Sequence, residues 1–304
     1  DSNSGYGSIL RLGIRPKNSV AMPMVSAGSA HVVALKANGT VWTWGYNGNG
    51  ELGDGKNRNT NIPVQVLTGA QDSNSGYLEN IIQVAAGAYH NLALAKDGTV
   101  WSWGYNYHGQ LGNGTTANSS LPVKVIGVSD VVSIAAGYYN SFAVRKDGTV
   151  WSWGYNNYGS LGLGDGTSRT TAQQVLGGAS GSQYLTDIVE VKAATMHTLA
   201  LKANGTVYAW GYNYYGQLGN GTTSGSATVE LQGVQNVKDI VQVSGSQNGH
   251  FGAFVKKDGT VWTVGYNGNG QLGNGSQDNK SRPIQVGGGS SNAMRITHGT
   301  VINT

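Results

Sequence analysis

The chain contains no cysteine. Disulfide staples, thiol catalysis and thiolate-ligated zinc are thereby excluded. Charge is scarce as well: Asp, Glu, Lys and Arg make up 11% of 304 residues, with a formal balance of +4. No run of five like charges occurs, so nothing marks a nucleic-acid or membrane-surface binder. No stretch of about 18 apolar residues is present, so no transmembrane helix and no membrane insertion are expected. Catalytic signatures are missing too. There is no His-Glu-x-x-His and no phosphate loop ending in Gly-Lys-Ser/Thr. Asp54-Gly55 and Asp165-Gly166 lack the spaced acidic ligands of a calcium loop. No enzyme activity, no cofactor and no metal site is expected.

Glycine, by contrast, is abundant at 49 residues. Without a three-residue period it does not make collagen, and the regular Trp, Leu and Val argue against disorder. Closely spaced turns between β-branched and aromatic runs read as all-β. The organising feature is a phrase written five times: an Asn-Gly or Asp-Gly turn, Thr-Val, then Gly-Tyr-Asn. Its turn glycines are Gly39, Gly98, Gly148, Gly205 and Gly259, at spacings of 59, 50, 57 and 54 residues. A long period that tolerates insertions marks a repeat protein.

Residues 81 to 125 show one unit. Ile81 to Ala86 reads as a buried strand and Gly87-Ala88-Tyr89 breaks it. His90 to Lys96 forms a second strand, and Asp97-Gly98 signals a tight hairpin with positive φ at both central residues. Thr99 to Trp103 makes a third strand, with Trp101 and Trp103 on one face. A Gly-rich loop carrying Gln110-Leu111-Gly112 leads to an outer strand, Leu121 to Val125, where Pro122 suits an edge. Four antiparallel strands repeated around a ring make a β-propeller blade, and the Trp pairs are the expected filling between blades.

These residues carry a resemblance. Ala-Ala-Gly-x-x-His, Leu-Ala-Leu-x-x-Asp-Gly-Thr-Val-Trp-x-Trp-Gly and Asn-x-x-Gly-Gln-Leu-Gly resemble the repeat of the regulator of chromosome condensation family over about residues 21 to 286. The resemblance implies a β-propeller, with seven blades as the family rule, more than this chain has room for. A single domain over 1–304 is expected, with repeats near 21–66, 81–125, 131–175, 187–231 and 239–286. A sixth, eroded unit is read in 294–304 plus 1–20. His298-Gly299-Thr300-Val301 matches the hairpin, and Gly7 to Gly13 matches the loop ending in Leu-Gly. The expectation is a six-bladed ring with one hybrid blade shared by the termini, and hence a monomer. An open five-blade arc completed by a partner chain is the alternative. Gly287 to Met294 reads like a linker, a cloning scar and an initiator Met, which would make the chain an engineered circular permutation; a natural Gly/Ser loop is the other reading. The start at Asp1, with neither signal peptide nor Met, reads as a mature or trimmed segment.

Strand parity places the loops after the first and third strands of each unit on one face of the ring. That face collects Tyr89, Tyr138, Tyr139 and Met196. The two residues after each Gly-Tyr-Asn differ between copies: Gly48-Asn49, Tyr107-His108, Asn157-Tyr158, Tyr214-Tyr215 and Gly268-Asn269. Tyr89, Tyr107, His108, Tyr138, Tyr139, Tyr158, Tyr214 and Tyr215 are therefore the binding residues expected from sequence, since Tyr offers rigid amphipathic contact area. The competing reading folds these rings down as covers of the blade edges. The Gly-Tyr-Asn triplets themselves read as structural. So do His31, His90, His197 and His250, which occupy or approximate one repeat position, with Asn140 in the third unit. The Asn-Gly-Thr/Ser triplets at Asn38, Asn113, Asn204, Asn220 and Asn274 are explained by turn chemistry.

The function expected is a non-catalytic interaction module that takes a protein or carbohydrate on one propeller face. Bacterial secreted and cell-surface proteins carry similar Gly/Asn-rich copies, so the resemblance implies an extracellular or surface location. It also implies guanine-nucleotide exchange as an alternative, although no unit carries a long wedge-like insertion. Light sensing is disfavoured because the Gly-Trp-Arg-His-Thr signature of the plant receptors with this repeat is absent. An engineered scaffold without a ligand is the remaining alternative.

Overall fold

In a computed structural model of the chain, residues 21–71, 75–177, 183–224, 229–230, 240–245 and 249–287 are described. They form five sheets of four antiparallel strands and no helix. The first sheet is β1 (Met24–Ala27), β2 (His31–Leu35), β3 (Val41–Gly45) and β4 (Thr60–Gln65). The second is β5 (Ile81–Ala86), β6 (His90–Ala95), β7 (Val100–Gly104) and β8 (Ser119–Lys124). The third is β9 (Val131–Ala136), β10 (Asn140–Arg145), β11 (Val150–Gly154) and β12 (Arg169–Gln174). The fourth is β13 (Ile188–Ala193), β14 (His197–Lys202), β15 (Val207–Gly211) and β16 (Val229–Glu230). The fifth is β17 (Ile240–Gly245), β18 (Phe251–Lys256), β19 (Val261–Gly265) and β20 (Lys280–Gln285). Spatial order follows chain order within each sheet, and the first strands β1, β5, β9, β13 and β17 contact one another in sequence. These are propeller blades. The expected sixth, split unit and all of the 287–294 segment except Gly287 lie outside the described residues.

Four apolar clusters fill the four gaps between consecutive blades. A strand inside such a stack is covered on both sides, so its inward and outward residues are equally buried. On β6, Leu92 and Leu94 face the third blade while Ala93 and Ala95 face the first. All six residues of β6 are buried. In the second to fourth blades the large filler is the Trp at the fourth place of the third strand. Trp103, Trp153 and Trp210 are fully buried, and each indole N–H donates to a carbonyl of the preceding blade: Glu51 at 2.9 Å, Gln110 at 2.9 Å and Ser160 at 2.8 Å. Val264 takes this place in the fifth blade.

The hairpins differ from the sequence expectation. Among the described non-glycine residues only Asn80, Asp130 and Asp187 have positive φ, so Asp97 does not. Gly98 alone is left-handed, at φ 88°, and its N–H donates to Ala95 O at 3.0 Å. This is a type I turn closed by a glycine bulge rather than a two-residue turn with both φ positive. The Asp97 carboxylate accepts the Thr99 N–H at 2.8 Å and holds Asp97 in the ordinary φ region. The triplet asparagines act alike: Asn38, Asn113, Asn204, Asn220 and Asn274 each accept the N–H two residues on.

Trp153→Ala is expected to cost about 3–5 kcal/mol in urea unfolding, the ordinary penalty for emptying a buried aromatic site. Trp153→Phe keeps most of the ring and loses the indole donor, a loss nearer 1 kcal/mol for the bond itself. Equal losses from both variants would contradict a packing role for the ring.

Candidate functional site

The loop after each third strand is held by one buried asparagine. The Asn106 amide donates to Thr115 O at 3.0 Å and Ala117 O at 2.9 Å, and its oxygen accepts the Leu111 N–H at 2.9 Å. Asn47, Asn156, Asn213 and Asn267 repeat this pattern and are buried. A buried amide that meets three backbone groups fixes a loop that has no sheet partners of its own. The loop is tied in turn to the one after the first strand, because Tyr105 N–H donates to Tyr89 O at 2.9 Å. The same bond joins Tyr46 to Ala30, Tyr155 to Tyr139, Tyr212 to Met196 and Tyr266 to His250. It needs a glycine before the tyrosine: a Cβ on Gly104, at φ 105°, would come 2.7 Å from Tyr89 O. Two loops per blade are thus pinned side by side on one face.

Their aromatic rings meet in two groups. In the second and third blades Tyr139 is central, with ring centroids 4.5 Å from Tyr138, 5.0 Å from His108, 5.6 Å from Tyr105 and 6.2 Å from Tyr89. His108 lies 4.7 Å from Tyr155 and 5.1 Å from Tyr107. Across the third to fifth blades Tyr212 lies 5.1 Å from Tyr158, and Tyr215 lies 5.1 Å from Tyr214 and 4.9 Å from Tyr266. His250 packs 5.3 Å from Tyr215. The structure therefore brings all eight expected residues into these groups: Tyr89, Tyr107, His108, Tyr138 and Tyr139 in the first, Tyr158, Tyr214 and Tyr215 in the second. The rings do not fold away beneath the loops, since Tyr107 is 70% exposed, Tyr214 67% and Tyr158 40%.

Sequence reasoning missed Tyr105, Tyr155, Tyr212 and Tyr266, because it treated Gly-Tyr-Asn as one structural unit. The triplet divides its work: Gly makes the bend, Asn anchors the loop, and Tyr lies on the face. The residue after the triplet decides where that Tyr goes. In the first and fifth blades a Cβ on Gly48 or Gly268 would collide with the hydroxyl of Tyr46 or Tyr266. There the glycine leaves room for the tyrosine to fold over it. In the second and fourth blades Tyr107 and Tyr214 stand at that place, and Tyr105 and Tyr212 pack in the ring groups.

The Tyr105, Tyr139, Tyr155 and Tyr212 phenols are uncharged at neutral pH. Burial, with the neighbouring Tyr138, pushes Tyr139 up to about 12, and burial also raises Tyr105, Tyr155 and Tyr212. Burial lowers His108 and His250. The two ring groups are thus broad and aromatic, with many phenol hydroxyls. Among the described residues no group of three His, Asp or Glu could hold a metal ion.

The repeated histidine behaves differently from the face residues. His90 Nε2 lies 2.9 Å from Ser141 Oγ, which itself donates to Gln110 O at 2.8 Å. Nε2 must therefore carry the proton. His31 likewise donates to Asn91 Oδ1 at 3.0 Å, while the Asn91 amide donates to Glu51 O at 2.8 Å. These rings brace the contact between blades. His197 has no partner for either nitrogen; the corresponding place in the next blade is Gly252, which has no side chain to offer. The grouping of His250 with this set is corrected. Phe251, not His250, pairs with Gly265 as His90 pairs with Gly104. The connection between β17 and β18 holds five residues against three in the second blade, and His250 falls one place early, where the other blades carry Ala30, Tyr89, Tyr139 and Met196.

Comparison with known proteins gives a match to the RCC1-like domain family over residues 11–301. The ultraviolet-B receptor UVR8 of Arabidopsis thaliana is 34% identical over 270 residues, covering 86% of this chain and 57% of its own length. Human HERC2, an E3 ubiquitin-protein ligase, is 30% identical over 303 residues, covering 93% of this chain and 6% of its own length. The chain thus spans well under two thirds of either relative. Among solved structures, human WBSCR16 superposes with a TM-score of 0.70 at 24% identity, covering 87% of this chain and 67% of that one. Prp20p of Saccharomyces cerevisiae, studied for its binding to Gsp1p and histones, gives 0.59 at 22% identity, covering 86% and 76%. At these identities the two structures speak for the fold alone.

The buried histidines set a pH dependence. Burial pushes His90 and His197 down to about 3. Above the unfolded value near 6.5 neither state holds these protons, and stability is at its full value. As pH falls through 6.5 the unfolded chain takes up protons that the folded rings refuse. Stability is then expected to fall by roughly 1.4 kcal/mol per pH unit for each ring. His90→Asn with His197→Asn, the residue present at Asn140, is expected to flatten the slope of unfolding free energy between pH 6.5 and 4.5. An unchanged slope would contradict the assignment.

Proposed function

The chain belongs to the RCC1-like domain family, and from that premise we propose that it is a non-catalytic interaction module whose tyrosine face binds a protein partner. The observation that carries this is the exposure of Tyr107 and Tyr214 above a bed of packed rings. A large aromatic side chain that is held in place yet solvent-facing loses little entropy on binding and desolvates readily, which is the chemistry of an interface anchor. The loops beneath are fixed by buried asparagines, so the face is organised before any partner arrives. The phenol rings favour a partner surface rich in apolar groups and backbone amides over a strongly charged one.

Nucleotide exchange through an inserted wedge finds less support. In four of the five blades the connection from third to fourth strand has the same length, 14 residues. A carbohydrate would use the same rings through stacking, and it is separated from a protein by the probe used.

Peptides selected from a display library on the wild-type chain are expected to lose at least tenfold in affinity for Tyr107→Ala with Tyr214→Ala. Lys36→Ala with Lys256→Ala, which alters residues stacked on Trp42 and Trp262 beside the hairpins, should leave affinity unchanged. Selected ligands that ignore the tyrosine pair, or a chain that enriches oligosaccharides and no peptide, would overturn the reading.

A further inference from the structure

Four rings on the loop face recur as a set. Tyr107 meets His108 at 5.1 Å and 89°, and Tyr214 meets Tyr215 at 5.1 Å and 89°. His108 then meets Tyr155 of the next blade at 4.7 Å and 60°, as Tyr215 meets Tyr266 at 4.9 Å and 59°. The fourth ring is Tyr139, 5.0 Å from His108, or His250, 5.3 Å from Tyr215. Tyr139 and His250 hold the same place, since each gives its carbonyl to the N–H of the tyrosine after the third strand, Tyr155 or Tyr266. The two sets carry the same rings in nearly the same geometry, with imidazole and phenol exchanged. One spans the second and third blades, the other the fourth and fifth.

The loop residue beside each set also recurs. Gln110 Oε1 accepts the His108 N–H and Gln217 Oε1 the Tyr215 N–H, both at 3.0 Å. The nitrogen end of each amide is therefore turned away from its own loop. It faces the next blade, where a Cβ on Gly154 would lie 3.2 Å from Gln110 Cα and one on Gly265 3.0 Å from Gln217 Cβ. Both Nε2 atoms are buried and have no partner, a costly state for a donor. The other two gaps differ on both counts. At the first, Gly48 and Asn49 stand in place of the leading rings, and Asn49 occupies both carboxylate oxygens of Glu51. At the third, Asn157 stands in place of the projecting ring, and the Ser160 hydroxyl donates to Tyr155 O at 2.9 Å.

We propose that the two sets are equivalent half-sites for a proline-rich partner segment that presents one short motif twice. This rests on the tyrosine face being the binding face. Neither set contains Asp, Glu, Lys or Arg, so neither offers an ionic contact of its own. Phenol hydroxyls and the unmet amide N–H groups call for acceptors. A polyproline II segment supplies carbonyls that no internal hydrogen bond uses, few N–H groups, and a preformed backbone that docks on aromatic side chains at little entropy cost. The His108 and Tyr215 rings are only half-buried, so they can turn aside to admit a carbonyl to the amide. Both half-sites sit on loops of one rigid frame, which makes the second contact of a linked pair intramolecular.

The test uses the full chain and two synthetic peptides: one copy of Pro-Pro-Ala-Pro-Pro, and two copies joined by Gly-Ser linkers of graded length. In calorimetric titration the single-copy peptide is expected to fill two sites per chain, and Tyr107→Ala or Tyr214→Ala to leave one. The tandem peptide is expected to bind one per chain, at least tenfold tighter than the single copy, and either substitution to abolish that gain. Tyr107 and Tyr214 are 70% and 67% exposed, so both variants should keep the wild-type denaturation midpoint. One site per chain, or a tandem peptide that gains nothing at any linker length, would overturn the pairing while leaving a tyrosine binding face in place. A chain that binds neither peptide would overturn the proline-rich class. Library-selected ligands indifferent to both tyrosines would instead strike the face itself, and the half-sites with it.

Discussion

The structure depends on one contact made at three of the four gaps between the described blades: a flat indole slid under the loop of the blade before it, with its N–H on that loop's carbonyl. A single four-stranded sheet exposes two apolar faces and cannot stand in water. The contact removes both faces from solvent and sets the angle between neighbours, because the bond fixes where the ring lies. Most of the recurring letters serve it. The hairpin glycine starts the third strand at the right place. The buried asparagine shapes the loop so that its carbonyl points outward. Histidine and the serine or asparagine that follows it pass the same contact inward to the next blade.

The proposed function rests on the places where the copies disagree. The two positions after Gly-Tyr-Asn reach the next blade on the loop face, as His108 does to Tyr155 and Tyr158 to Tyr212, but none of them supplies the carbonyl that holds an indole. Their variation also acts at a distance of two residues: glycine at 48 or 268 lets the preceding tyrosine fold over it, while tyrosine at 107 or 214 takes the outer position itself. The result is a face with a direction. Blades two to four project rings from the variable positions, while blade five adds Tyr266 and His250 to the packed group from outside them.

Much of this was legible in the chain. The period, the four strands of each blade and the shared face of two loops follow from turn spacing and strand parity, which are local properties. All eight expected face residues lie in the ring groups. Three things were not legible. The hairpin type depends on Asp97 bonding its own turn, a competition between side chain and backbone that the dipeptide does not reveal. The displacement of His250 depends on two extra residues in one connection, which shift register without changing the letters around it. The recruitment of Tyr105, Tyr155, Tyr212 and Tyr266 was hidden because an invariant triplet looks uniformly structural, although its three side chains point in three directions.

The central claim is that the repeated letters hold the frame and the variable ones carry recognition. Exchanging Tyr107-His108 for Gly-Asn would give the second blade the sequence of the first, and Tyr105 is then free to fold outward as Tyr46 does. The most direct measurement is a calorimetric titration of a face-selected ligand into this exchange variant, at a temperature where the variant is folded. The account predicts an undiminished denaturation midpoint with binding reduced at least tenfold. Binding that persists in a variant with an unchanged midpoint would contradict it.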